Sequence, residues 1–196
     1  MALQVGQELP FAGYDWRVLG VADDRVLLLS VHVLALRWYH DRFVDTTWAD
    51  CSLRAYLNGP FFDALPPAEA ARVVPVQNPN PGNPWFGTPG GPVTEDRVFL
   101  LSLEEACTCF GDSTAALRAK GSRTWRIDDA HNEARRARFE GAFHSWRLRS
   151  PGYYARTSAS ISQDGSVYLR GNGVFGRPRD GGGVRPALWW RGPHGL

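Results

Sequence analysis

Asp164-Gly165 sits between two runs in which every second residue is apolar, Ala159 and Ile161 before it and Val167 and Leu169 after it. A tight turn whose glycine takes positive φ, flanked by period-two alternation, dictates an antiparallel hairpin with one buried face. The same alternation predicts that Ser158, Ser160, Ser162, Tyr168 and Arg170 face outward. Beyond the hairpin, Gly171, Gly173 and Gly176 make a loop that needs little side-chain volume. Arg185-Pro186 then leads into a closing strand read as Val184–Trp190, with Pro tolerated at its start.

Upstream the elements are short. Residues 16–21 and 25–31 are apolar runs separated by Ala22-Asp23-Asp24, which predicts a second hairpin. Ser52 to Asn58 has helical spacing, with Asp50 as N-cap and Asn58-Gly59-Pro60 as terminator. Pro67 suits the first position of another helix. Residues 77–92, rich in Pro, Gly and Asn, read as a long irregular loop. Val98 to Leu101 reads as a buried strand, followed by a capping box of Ser102 with Glu105 that opens a helix over 103–109. Residues 112–140 have helical composition around Trp125, with Arg135, Arg136 and Arg138 facing solvent. After Ser145 strands and turns alone are expected, and nothing reads as an internal repeat or a linker. One domain over 1–196 is the expectation, with 145–190 as its display region.

Composition narrows the function classes. With 21 Gly and 14 Pro in 196 residues, a loop-rich, β-rich architecture is favoured over a helical bundle. Eight Trp can fill a core made irregular by loops, or anchor interfaces; the core role is the more general one. Residues 1–120 carry 9 basic and 14 acidic side chains, a balance of −5, whereas 121–196 carry 13 and 6, a balance of +7. The arginines of the basic part are scattered and form no nucleic-acid motif, which reads as solvated surface and not as a polyanion site. Lys120 is the single lysine among 22 basic residues, a bias that fits a GC-rich genome, a thermophile's included. Three cysteines, two of them in Cys107-Thr-Cys109, read as reduced thiols of a cytoplasmic chain and not as a disulfide framework. The opening residues show no signal-peptide pattern, and no apolar run is long enough to span a bilayer.

The C-terminal skeleton runs Trp146-Arg-Leu-Arg-Ser-Pro-Gly152, then Asp164-Gly165, Val167, Gly171 and Val174, and ends in Gly183-Val-Arg-Pro-Ala-Leu-Trp189. It resembles a bacterial and phage domain family whose members end in G-V-R-P-A-L-W, among them the variable proteins of diversity-generating retroelements. The Trp16-Arg-Val-Leu hairpin, Trp48 with Ser52-Leu-Arg-x-Tyr-Leu-Asn58, and Val98-Phe-Leu-Leu-Ser102 extend the resemblance upstream; residues 111–144 do not share it. The resemblance implies an α+β, C-type-lectin-like fold of the kind also used by formylglycine-generating enzymes. In it, short helices pack on a twisted antiparallel sheet beside a loop-rich C-terminal display region.

The residues expected on that display surface are Tyr153, Tyr154, Arg156, Ser158, Ser160, Ser162, Ser166, Tyr168, Arg170, Asn172, Phe175, Arg177 and Arg179. Tyr and Arg supply contact energy and Ser and Asn adaptable hydrogen bonds, the mix of a paratope. Catalytic constellations are not evident. His32, His40, His131, His144 and His194 have no metal-ligand spacing. Cysteines two apart on a helix point to different faces, which argues against shared metal ligation or copper-dependent cysteine chemistry at Cys107 and Cys109. Asp164, Asn172 and Asp180 are too few oxygens for calcium. The expectation is therefore a non-enzymatic binding protein without cofactor or metal, with a macromolecular partner, a protein before a nucleic acid. The alternatives are a phage or particle-assembly subunit and, behind it, a formylglycine-generating-type enzyme.

Overall fold

The computed structural model describes residues 3–22, 24–119, 121, 123–176 and 182–192. In chain order its strands are β1 (Glu8–Phe11), β2 (Tyr14–Val21), β3 (Val26–Ser30), β4 (Ala35–Leu36), β5 (Val73–Val74), β6 (Val76–Asn78) and β7 (Thr94–Asp96). They continue as β8 (Arg126–Ile127), β9 (Arg138–Phe139), β10 (Ala142–Phe143), β11 (Trp146–Pro151), β12 (Thr157–Ile161), β13 (Val167–Gly173), β14 (Gly183–Val184) and β15 (Ala187–Trp190). The helices are α1 (Ser52–Tyr56), α2 (Pro67–Ala70), α3 (Leu103–Thr108), α4 (Thr114–Arg118) and α5 (Asn132–Arg135). The fold is mixed α+β, mostly sheet with short helices. No helix among the described residues is long and apolar enough to cross a membrane.

Two sheets carry the architecture. One has the order β1-β2-β3-β15-β5, so the closing strand pairs with the first long hairpin, Leu188 opposite Leu28. The other has the order β4-β14-β11-β12-β13-β8 and holds the Asp164-Gly165 hairpin. Gly165 takes φ of +86°, and a Cβ there would lie 1.9 Å from the Asn132 carbonyl oxygen, so only glycine fits under α5. Ala159, Ile161, Val167 and Leu169 are fully buried, as the alternation requires. Side chains from both sheets meet in one core, in which Trp16, Trp48 and Trp146 are wholly enclosed.

Several local expectations are corrected. The closing strand is two strands, β14 and β15, broken at Arg185-Pro186. Val98–Leu101 is buried but joins no ladder. Phe99 exchanges hydrogen bonds of 2.9 and 2.7 Å with Ala187, and Leu101 accepts from the Arg149 amide, so the run spans between the two sheets. Cys51 caps α1 in place of Asp50, its Sγ accepting from the Arg54 amide at 3.4 Å. The helix does not end at Asn58 but continues through Pro60 as one π turn, Leu57–Phe61. Asn58 works instead as a tie: its Oδ1 accepts from the Arg97 amide at 2.7 Å and its Nδ2 donates to the Val98 carbonyl at 2.9 Å. The capping box at Ser102 and Glu105 forms as expected. Residues 112–140 are mainly turns and two-residue strands with the single-turn helices α4 and α5, because the backbone turns left-handed at Trp125, Glu140 and Gly141.

Burial of arginine is the largest departure. Arg135 is fully enclosed, not solvent-facing, and Arg147, Arg149 and Arg185 are at most 2% exposed. Arg149 pairs with Glu105 and donates to the carbonyls of Leu100 and Pro79. Arg185 donates to the Ser30 carbonyl at 2.7 Å and lies 5.0 Å over the Trp146 ring; burial pulls its guanidinium down to about 9. Four of the 13 basic side chains after residue 120 are therefore structural, and the basic surface is smaller than the formal charge of that segment suggests.

Candidate functional site

The connection from β11 to β12 and the far end of β13 bring residues 153–156 and 170–175 together, and the loops 37–47 and 79–93 are stitched to them. The Thr46 amide donates to the Ala155 carbonyl at 3.1 Å, and the His40 amide donates to the Val174 carbonyl at 3.0 Å. The buried Asn83 side chain donates to the carbonyls of Pro151 and Leu169 at 3.0 and 2.8 Å, pinning the 79–93 loop onto the sheet. Thr88 ties the same loop to the Tyr153 carbonyl at 2.9 Å.

The result is a strip made of three sets of contacting rings and guanidinium groups, joined to one another through the backbone. Trp38 packs on Phe175 with ring centroids 4.2 Å apart. Phe43 lies against Gly173, 3.4 Å from where a Cβ would stand. Arg156 stands between Phe43 and Tyr154, 5.8 and 4.9 Å from the two ring centroids. Tyr154 meets Tyr153 edge-on at 4.5 Å, and Tyr153 meets Phe86 at 4.8 Å. The Tyr153 amide donates to the Arg170 carbonyl at 2.8 Å, and the Arg170 guanidinium covers Trp125 at 4.4 Å. Trp38, Phe43, Trp125, Tyr153, Tyr154 and Phe175 are each at least 37% exposed, which separates them from the enclosed tryptophans of the core.

No three His, Cys, Asp or Glu side chains among the described residues come together as a metal site needs. Cys107 is fully buried, its thiol pushed up to about 12 by that burial; Cys109 is partly buried and also raised. Burial therefore disfavours the thiolate at both.

Residues 23–191 match a family described as a domain of unknown function (DUF6273). The chain belongs to that family. No curated protein and no solved structure matches it.

Within this DUF6273 chain the expected display set divides. Tyr153, Tyr154, Arg156, Arg170 and Phe175 are exposed and lie in the strip. Tyr168 is half-buried beneath Arg126, 4.5 Å from its ring, and Ser162 accepts from the same guanidinium. Ser158, Ser160 and Ser166 are enclosed, contrary to the outward reading. For Ser158 and Ser160 the physical reason is that β12 is covered on both faces, so alternation there separates polar from apolar and not outside from inside. Ser158 Oγ accepts from Arg147 at 2.6 Å, Ser160 Oγ accepts from Asn172 at 3.0 Å, and Ser166 Oγ donates to Asp164 at 2.7 Å. Arg177 and Arg179 lie outside the described residues. Sequence reasoning missed Trp38, Phe43, Phe86 and Trp125. Their signal was aromatics set among charged, Pro or Gly neighbours in segments with no amphipathic period, Trp38 to Asp45 above all.

Proposed function

We propose that this chain is a ligand-binding protein, not an enzyme, which docks a protein partner on the strip running from Trp38 to Trp125. The observation that carries the reading is the set of exposed rings and arginines that three separate segments bring together. Monomeric proteins rarely leave so many large rings in contact at the surface without a partner for them. Tyr, Trp and Arg are also the residue types on which binding energy concentrates. The resemblance of the C-terminal skeleton supports a C-type-lectin-like scaffold for this sheet arrangement, and supports placing the chain among retroelement-diversified variable proteins.

Randomising Tyr153, Tyr154, Arg156, Arg170 and Phe175 together tests the display role. Such a library is expected to keep cooperative unfolding and to yield binders to an arbitrary protein target. Loss of folding across the library, or no binders from folded members, would overturn the reading. Diversification itself is tested in the genome. It requires a near-copy of the coding sequence for the last fifty or so residues beside a reverse transcriptase, differing only at adenines; an intact locus without both rejects it. Self-association through the strip, as in a particle subunit, would appear as an oligomer in light scattering that Tyr154→Ala with Phe175→Ala dissolves.

A further inference from the structure

At the Trp38 end of the strip lies an open pocket of about 310 Å³, walled by Leu36, Arg37, Trp38, His40, Asp41 and Tyr56. Of its charged or titratable side chains, His40 and Asp41 are engaged with neighbours and Arg37 is not. His40 Nδ1 faces Ser52 Oγ at 3.1 Å, and its Nε2 faces Asp41 Oδ1 at 3.4 Å. The same Asp41 oxygen stands 3.7 Å from Arg42 Nε, so this carboxylate already has two cationic or donor neighbours. Arg37 is exposed. Its guanidinium is stacked on Tyr56 at 3.6 Å from the ring centroid, and among the described residues it makes no side-chain hydrogen bond and no ion pair. A stacked guanidinium keeps its edges free, and those edges form the planar fork that matches a carboxylate with two parallel bonds. Stacking has also already removed part of the side-chain freedom that binding would otherwise cost.

We infer that this pocket takes the chain-terminal carboxylate of the docked partner, held by the Arg37 fork, with that residue's apolar side chain against Trp38 and Leu36. A terminal residue carries its carboxylate and its side chain on one Cα, so both reach adjoining charged and apolar walls of a pocket this size; a carboxylate at the end of an Asp or Glu side chain brings only methylenes to the apolar wall. The identity of the donor as a protein partner rests on the strip reading. Recognition of the carboxylate does not, because it is measured with a small molecule.

The test is titration of the whole chain with N-acetylphenylalanine, read from the Trp38 indole N–H resonance. The acid is expected to saturate in roughly the millimolar range, and the corresponding primary amide to bind at least about tenfold more weakly. Arg37→Met, which keeps the stem over Tyr56, is expected to erase the preference for acid over amide. Arg37→Lys, which keeps the charge without the fork, is expected to retain a reduced one. Equal binding of acid and amide, binding of neither, or an unchanged preference in Arg37→Met overturns the assignment. N-acetylglutamate α-amide binding as tightly as N-acetylphenylalanine overturns the terminal source in favour of an acidic side chain. Failure of these titrations alongside a library that yields binders removes the pocket and leaves the strip.

Discussion

Arg135 shows what a single residue can be made to do here. Its guanidinium donates to the Gly165 carbonyl at 2.9 Å, Ser113 Oγ at 3.0 Å, Asn132 Oδ1 at 2.8 Å and Asp129 Oδ1 at 2.6 Å. It thereby ties α5 to the Asp164-Gly165 turn and to the start of α4. Removing the guanidinium leaves the buried Gly165 carbonyl and Ser113 hydroxyl without their donor and the half-buried Asp129 without its counter-charge, so Arg135→Met is expected to cost about 2–3 kcal/mol. Urea unfolding followed by tryptophan fluorescence measures it, and a loss below about 1 kcal/mol, the size of a surface pair, would reject the tie. Nothing in the sequence separates Arg135 from Arg136 and Arg138, its neighbours on a run with no clear period. Arg138 is exposed and Arg136 half-buried, and only the fold sorts the three.

Elements this short gain little from intrinsic propensity, and their ends matter more than their lengths. α3 carries two jobs on one residue. Glu105 Oε2 accepts from the Ser102 amide at 2.7 Å, closing the capping box, and the Glu105 carboxylate also neutralises the buried Arg149. The cap and the ion pair predict different costs. Ser102→Ala is expected to lose about 1 kcal/mol, the ordinary worth of an N-cap. Glu105→Ala is expected to lose about 3 kcal/mol or more, because it leaves a guanidinium enclosed without its counter-charge. Equal losses in denaturant unfolding would show that Glu105 acts through the helix alone. The cap was legible as Ser102-x-x-Glu105. The ion pair was not, since its partners are 44 positions apart and meet only when β11 passes the start of α3.

Across the molecule, acid is the condition to which the fold should be sensitive. Burial works to raise the Asp129 carboxyl, but the Ser113 hydroxyl, the His131 amide and Arg135 outweigh it and hold the group below its ordinary value. Asp164 behaves likewise, burial being outweighed by the hydroxyl and amide of Ser166. A carboxyl whose folded pKa lies below its unfolded value of about 3.9 adds stability that is complete above that value. The contribution disappears as pH falls through the folded pKa. The urea midpoint is therefore expected to stay level from about pH 7 to 5 and to fall below about pH 4, less steeply in Asp129→Asn. A midpoint that rises on acidification contradicts this. The Cys51 and Cys107 thiols, both pushed up to about 12 by burial, titrate far above that window and do not enter the balance.

By itself the sequence determined what depends on neighbours along the chain. The two hairpins, the glycine at the Asp164-Gly165 turn, the proline that opens α2, the Ser102 cap and the apolar alternation of β12 and β13 all follow from turn chemistry and period. It also marked Tyr153, Tyr154, Arg156, Arg170 and Phe175 as outward-facing, and these five are exposed. Tertiary structure alone decided which polar residues would be enclosed. Alternation along a strand names two faces but not whether one or both will be covered, and β12, covered on both, took Ser158 and Ser160 into the interior. It alone also completed the strip. Trp38, Phe43 and Phe86 are far from residue 153 in the chain, and bonds such as Thr46 to Ala155 and Thr88 to Tyr153 bring those loops to the β11–β12 connection without leaving any period in the sequence.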